Sequence, residues 1–475
     1  MPATVGSWPQ RVKYLPAGRE LVEEWRHFAG NPLNRLSYLR SSPAFLTSAL
    51  RSPKAKFLPL DSLALLSDAP TKEDSARHLA FLSWKDVEPY IGEADDVFKG
   101  VDGKNEDEFK ALKVLGKKAE QFGKQMVSEL TVVERREYFV NQPALVFLGV
   151  DERSAPESAQ SLPLSKPTDS STLESHSPYG IPLWGLDVSQ ISELKELALK
   201  GAEGREFGDL RAGSQTIPPE EASVAAEARA LVDWNTRNKF CPSCSRPIRS
   251  VWAGWKRQCI PGAAATSTSP ADPPCTTKKG VHNTSYPRTD PVVIMAVLSP
   301  DKEQILLGRQ RSWPAKFYSC LAGFVESGES LEEAVKREVY EEAGIVCEEV
   351  GYHSSQPWPY PSSLMFGCWA VAAPGQTIRT DLDNELEDAR YYTRAEVLKV
   401  LGSSKPLQLS REEVKRIDGK EGAEEKKESG EEKKGEKEKV EEEEGVFRMP
   451  PATAIANVLI TAWANGTLFS PSTKF

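Results

Sequence analysis

Within residues 323–345, GFVESGESLEEAVKREVYEEAGI, acidic side chains fall where a helix should bury apolar ones. Leu331, Ala334 and Val335 have the spacing of the inward stripe of an amphipathic helix. Continued at i+3, i+4 and i+7, that stripe lands on Glu338, Glu341 and Glu342. Carboxylates gathered on a partly desolvated face repel one another unless a cation lies among them. Hard oxygen donors suit magnesium or manganese. Arg337 stands beside them to orient or neutralise one carboxylate. A solvated acidic helix end is the alternative, and the phase of the stripe argues against it.

Two further stretches could carry chemistry. Cys241-Pro-Ser-Cys244, followed by Cys259 and Cys275, offers four thiolates. Four such ligands make a closed tetrahedral zinc site with no open position, hence a structural one. The fit is loose, because small and Pro-rich residues separate the last two cysteines and suggest an inserted loop. Cys320, Cys347 and Cys368 lie in apolar surroundings and read as core residues. Residues 355–365, SQPWPYPSSLM, alternate proline with Gln, Trp and Tyr. Such a segment is stiff and cannot pair as a central strand. Its rigid aromatic surface suits a nucleobase or nicotinamide, although a Pro-rich loop packing its own Trp reads the same way.

The elements that position these groups follow from periodicity and caps. Ser330 and Glu333 form a capping box and Gly344 suits a helix C-terminus, which predicts a helix over 331–343. Apolar runs predict strands at 144–150, 181–188, 292–298, 305–308 and 364–373, and helices at 218–239 and 453–465. The Ser/Pro/Thr-rich stretch 153–177 reads as a linker. Residues 419–445 are almost wholly Glu, Lys and Gly and cannot bury enough apolar surface to order, which predicts a disordered insert.

A chain of 475 residues exceeds what one core usually supports. We expect a unit over 1–217, a helix and ribbon with an inserted loop over 218–288, and a catalytic unit over 289–475. Hydrophobic content of 39% and charged content of 27% fit a globular protein. The mean hydropathy of −0.46 adds polar inserts to that picture. A net charge of −9 argues against a broadly basic nucleic-acid face. No apolar run reaches bilayer length and the N-terminus lacks a secretory core, so no membrane partner and an intracellular setting are expected.

Residues 323–345 also resemble the Nudix box, matching it at Gly323, Glu329, Arg337, Glu338, Val339, Glu341, Glu342, Gly344 and Ile345. A chance match is on the order of 10⁻⁹ per starting position. Residues 355–363 resemble SQPWPFPxS of the NADH pyrophosphatase subfamily, with Tyr360 in place of Phe. The four cysteines ahead of Tyr286-Pro-Arg resemble that subfamily's zinc ribbon. Residues 31–40, 147–152 and 184–189 look like its leader domain, which is Nudix-like and lacks a box.

The resemblance implies a mixed α/β Nudix fold: an α/β/α sandwich with a zinc ribbon and an N-terminal Nudix-like domain. It implies two or three catalytic Mg²⁺ or Mn²⁺ ions and one structural Zn²⁺. The divalent ligands implied are Glu338, Glu341, Glu342, the carbonyl of Ala322 and Glu385, with Glu341 also a candidate base and Arg337 supporting. The substrate-binding residues implied are Gln356, Pro357, Trp358, Pro359, Tyr360, Pro361, Ser362 and Ser363, joined by Tyr286, Phe324 and Ala456. The activity implied is hydrolysis of NAD(H) to NMN(H) and AMP. Removal of NAD caps from RNA 5′ ends, or a non-catalytic nucleotide sensor, are the alternatives, and the intact glutamate set argues against the sensor. A homodimer is implied as well. Ser472-Thr473-Lys474-Phe475 only loosely resembles a peroxisomal signal, so cytoplasm and peroxisome stand level.

Overall fold

A computed structural model describes residues 13–14, 20–21, 28–92, 97–98, 142–154, 180–213, 216–259, 275, 286–402 and 447–469. The insert at 419–445, most of the 153–177 linker, the loop between Cys259 and Cys275 and the C-terminal tetrapeptide lie outside the described residues.

The N-terminal unit contains α1 (Pro43–Arg51), β1 (Lys56–Asp61), β2 (Ala64–Asp68), β3 (His78–Leu79), α2 (Trp84–Ile91), β4 (Leu145–Asp151), β5 (Ile181–Asp187), α3 (Ser192–Leu199), β6 (Glu206–Gly208) and α4 (Pro219–Arg237). Its strands run β3-β2-β1-β5-β4, with β6 also on β2. β1 and β5 are parallel and the other pairs antiparallel. Ala222, Ala225, Ala228 and Val232 of α4 pack one face of this sheet together with Leu58, Val146 and Leu148. Phe45, Phe57, Phe147 and Trp184 fill the other face under α1 and α2.

The catalytic unit repeats this plan around β9 (Asp290–Leu298), a strand apolar on both faces as a central strand must be. It continues with β10 (Gln304–Gln310), β11 (Leu321–Phe324), α5 (Leu331–Ala343), β12 (Cys347–Trp358), β13 (Ser363–Ala372), β14 (Leu386–Thr393), α6 (Arg394–Leu401) and α7 (Ile455–Ala464). The strand order is β12-β13-β9-β10-β14, with β11 also on β9. Val293, Met295 and Val297 pack under α5 through Ala334, Val335, Val339 and Ala343. Ile294, Ala296 and Leu298 pack under α7 through Ala456, Leu459 and Ile460. The result is an α/β/α sandwich.

Between the units, β7 (Ile248–Val251) and β8 (Lys256–Cys259) form a short antiparallel hairpin. Its tip docks on the N-terminal sheet: the Phe147 amide donates to the Ala253 carbonyl at 2.9 Å, and the Trp255 indole donates to the Phe147 carbonyl at 2.7 Å. Gly254 has φ +91° and its Cα faces Val146, where a Cβ would come within 2.7 Å. Only glycine combines that backbone with that contact.

Two expectations change in detail. SQPW is the last turn of pairing on β12, which lies at the sheet's edge, and Pro357 sits opposite Leu364. An edge strand tolerates proline because one side of its backbone needs no partner. The inward stripe of α5 also takes in Val339 and Ala343, and Glu341 is not part of it. At 100° per residue Glu341 points about 120° from Val335, and its side chain is 48% exposed.

Candidate active site

The helix α5 starts and stops as its sequence demands. The Glu333 amide donates to Ser330 Oγ and the Ser330 amide to the Glu333 carboxylate, closing the capping box. Gly344 ends the helix in the left-handed conformation at φ +67°. This fixes which carboxylates turn inward.

Glu342 is the most confined of them, with 2% of its surface exposed. Its Oε2 has no hydrogen-bond partner among the described residues, while its carboxylate accepts from the Ala322 amide. Burial, then the charges of Glu385, Glu338 and Asp383, push its pKa well above the ordinary value. Glu338 is half-buried and its pKa is raised, chiefly by burial and further by Glu341 and Glu385, against the pull of Arg337. Glu385 is raised by burial and Asp383, and accepts from Gln310 Nε2 at 2.6 Å. A buried carboxylate with one bare oxygen, its pKa raised further by the charges of neighbouring carboxylates, fits a hard divalent cation. Among the described residues the carboxylate oxygens do not converge as closely as the cysteine sulfurs do, so the fit rests on the bare oxygen and the shared charge.

Arg337 organises the rim. Its guanidinium donates to both oxygens of Glu329 at 2.7 and 2.9 Å, to Glu338 at 2.8 Å, to Glu341 at 2.9 Å and to the Phe324 carbonyl at 2.8 Å. This ties the loop to the helix. The hydrogen bond from Arg337 holds the Glu329 carboxyl at about 2, below its usual 4.5. A folded pKa below the unfolded one adds stability that is present above pH 4.5 and lost as pH falls through about 2. Glu329→Gln should therefore flatten the fall in stability across that window. Urea midpoints of variant and parent between those pH values check it, and the difference cancels the opposite slope of the inward carboxylates.

Gly323 explains its own place in the box. A Cβ there would lie 2.0–2.2 Å from the Glu338 carboxylate. The obstructing group is the end of a flexible side chain, so Gly323→Ala should fold normally but displace Glu338. We expect turnover to fall at least tenfold with the thermal midpoint nearly unchanged. Steady-state kinetics beside thermal melts test this.

The four cysteines do converge. Cys241, Cys244, Cys259 and Cys275 place their sulfurs within 4.8 Å of one another. The Cys241–Cys275 and Cys244–Cys259 separations are 3.8 and 3.6 Å. Tetrahedral zinc with Zn–S near 2.3 Å requires sulfurs about 3.8 Å apart. Cys320, Cys347 and Cys368 are buried in the sheet core.

The segment after β12 faces the N-terminal unit. Pro357, Trp358, Pro359, Ser362 and Ser363 line a cavity of about 540 Å³ whose far wall includes Asn31, Arg35, Glu227 and Trp255. Gln356 is fully buried, and its side chain donates to the Thr453 carbonyl and accepts from the Ile455 amide, both at 2.8 Å. It fastens the edge strand to the start of α7. Trp358 and Tyr360 meet Phe28 edge-on at 5.9 and 6.2 Å, and Arg229 lies over Tyr360. Pro361 is exposed after a cis peptide bond. The Tyr360 hydroxyl is buried and has no hydrogen-bond partner among the described residues. Tyr360→Phe should therefore raise stability by about 1 kcal/mol, visible as a higher thermal midpoint.

Phe324 is 59% exposed in the box, whereas Ala456 is buried on the inner face of α7. Tyr286 is half-exposed on the ribbon, 6.0 Å from Trp252. The structure thus brings Glu338, Glu342, Glu385 and Ala322 together, and places Tyr286 against the hairpin, Pro357, Trp358, Pro359, Ser362 and Ser363 at the cavity, and Gln356 in the interior. Sequence reasoning missed the supporting roles of Glu329 and Gln310. Glu329 had a signal, its fixed place in the box; Gln310 had none.

Comparison with known proteins agrees with this geometry. Residues 288–412 match the NUDIX domain, and residues 109–234 match the NADH pyrophosphatase-like rudimentary NUDIX domain. The chain belongs to the Nudix hydrolases, in the NADH pyrophosphatase-like branch, and is a hydrolase of pyrophosphate bonds that uses divalent metal. It is 36% identical over 379 residues to the NAD-capped RNA hydrolase of Schizosaccharomyces pombe, covering 79% of this chain and 85% of that one. It is 48% identical over 189 residues to human NAD-capped RNA hydrolase NUDT12, covering 40% of this chain and 38% of that one. Human mitochondrial NAD(P)H pyrophosphatase NUDT13 is 37% identical over 213 residues, 44% of this chain and 53% of that one. The chain spans less than two thirds of either human relative. No helix among the described residues is long and apolar enough to cross a membrane.

Proposed function

We propose that this protein hydrolyses the pyrophosphate of NAD(H) to NMN(H) and AMP, and accepts the same group where it caps an RNA 5′ end. The observation that carries the reading is the bare, buried Oε2 of Glu342 amid Glu338 and Glu385. Two or three Mg²⁺ or Mn²⁺ ions, when bound, would activate water and neutralise charge developing on the phosphate oxygens. Glu338, Glu342, Glu385 and the Ala322 carbonyl are the proposed ligands, with Glu341, exposed at the rim, as ligand or base. Arg337 holds Glu338 and Glu341 in place and locks the loop through Glu329. Gly323 leaves room for the Glu338 carboxylate.

One zinc at Cys241, Cys244, Cys259 and Cys275 would be structural. Residues 356–363, Tyr286, Phe324 and Ala456 are proposed to hold the dinucleotide, the motif through the cavity it lines. A homodimer, and a cytosolic or peroxisomal location, rest on the family resemblance and a weak C-terminal signal. The proposed domain limits are 1–217, 218–288 and 289–475, although the helix Pro219–Arg237 packs on the N-terminal sheet and belongs with that unit. The test is turnover of NADH, NAD, ADP-ribose, diadenosine compounds and NAD-capped RNA side by side. NAD(H) and the capped RNA should lead, and a clear preference for another compound would overturn the substrate assignment.

A further inference from the structure

The chain leaves β10 directly beside the glutamate cluster. Gln310, the last residue of that strand, is the one that donates to Glu385. A register shift between Arg309 and Gln310 turns the backbone there. The loop then folds back at once: the Trp313 amide donates to the Gln310 carbonyl at 3.1 Å and the Phe317 amide to the Pro314 carbonyl at 3.2 Å. The Arg448 amide donates to the Lys316 carbonyl at 2.6 Å, which brings a third cationic residue alongside.

This loop carries Arg311 and Lys316, both exposed, and between them Trp313, half-buried and edge-on to Phe317 at 5.6 Å. Among the described residues neither cationic side chain has an acidic partner. Four other arginines of the same unit do: Arg309 pairs with Glu387, Arg337 with Glu329, Arg379 with Asp381 and Arg390 with Asp388, while Arg394 is taken up by the Trp463 and Ala464 carbonyls. In a chain of net charge −9, unpaired cations interleaved with an indole beside an acidic site call for an anion arriving from solution. A free dinucleotide carries its charge on the pyrophosphate, which the metal site would meet. Cations beyond that site have phosphate to neutralise only if the substrate continues as a phosphodiester chain, whose bases an indole can stack.

We infer that Arg311, Trp313 and Lys316 receive the nucleotides that follow the scissile pyrophosphate when the dinucleotide caps an RNA, and take no part in binding the free dinucleotide. The inference rests on the pyrophosphate-hydrolase reading of the same site. The test compares kcat/KM for NADH and for a short NAD-capped oligoribonucleotide in the parent and in Arg311→Ala/Lys316→Ala, across a salt series. NADH turnover should stay within twofold. Capped-RNA turnover should fall about tenfold, and its logarithmic salt slope should shrink by about one per cation removed.

Equal losses on both substrates, an unchanged capped-RNA rate, or a parent that cleaves NADH but not capped RNA would each overturn the inference. A parent that cleaves neither defeats the pyrophosphatase reading itself. Fluorescence anisotropy with the capped oligonucleotide and metal-free protein then decides separately: binding weakened in the double variant supports the patch, and equal binding removes it.

Discussion

Glu342→Gln should lower turnover roughly 10²–10³-fold or more while leaving the metal-free protein as stable as the parent or more stable. The two effects have one cause. Glu342 is buried with an oxygen that no described residue satisfies, and it lies close to the charges of Glu385 and Glu338. Without a cation that carboxylate costs stability, and an amide of the same shape removes the repulsion. With Mg²⁺ or Mn²⁺ added the order should reverse, because the parent gains stability from a bound ion and the variant gains less. Thermal melts with and without metal, beside steady-state rates, test both halves. A variant as active as the parent, or one that melts far below it without metal, contradicts the assignment.

Cys241→Ser should act on the fold instead. Its sulfur completes a cluster whose spacing suits tetrahedral zinc, and structural zinc contributes about 10–16 kcal/mol of apparent binding energy in small domains. Here the hairpin is also held by its tip on Phe147 and by Arg257, which donates to the Asn235 and Ile248 carbonyls, so loss of one ligand should cost less. We expect about 3–5 kcal/mol, similar to losing a native cross-link, and a thermal midpoint lower by roughly 6–20 °C. Metal analysis should find zinc depleted. An unchanged midpoint with a full equivalent of zinc would remove the structural-zinc role.

The catalytic unit was legible because its signals are local. A capping box, an apolar stripe and Gly344 define α5, and an apolar run marks β9 as a central strand. The inward turn of Glu342 followed from phase alone. The outward turn of Glu341 was misjudged because i+3 and i+4 steps broaden the stripe, and only the packed Val339 and Ala343 show its true centre. The family resemblance, more than periodicity, carried the N-terminal half.

Long-range contacts were not legible. Nothing local shows that Gln310 would reach Glu385, 75 residues on, or that Gln356 would fasten α7. The leader motif at 31–40 mixes polar residues with the buried Leu33, Leu36 and Leu39, and its spacing does not show that Asn31 and Arg35 hold the buried Glu227. Such pairings depend on tertiary placement, which spacing along the chain does not encode.

The most direct test of the pyrophosphatase account is product analysis of NADH incubated with zinc-loaded protein and Mg²⁺ or Mn²⁺. The account expects AMP and reduced NMN in equal amounts, with no cleavage when the divalent metal is chelated. Absence of both products across a full metal titration, or cleavage at a bond other than the pyrophosphate, would contradict it.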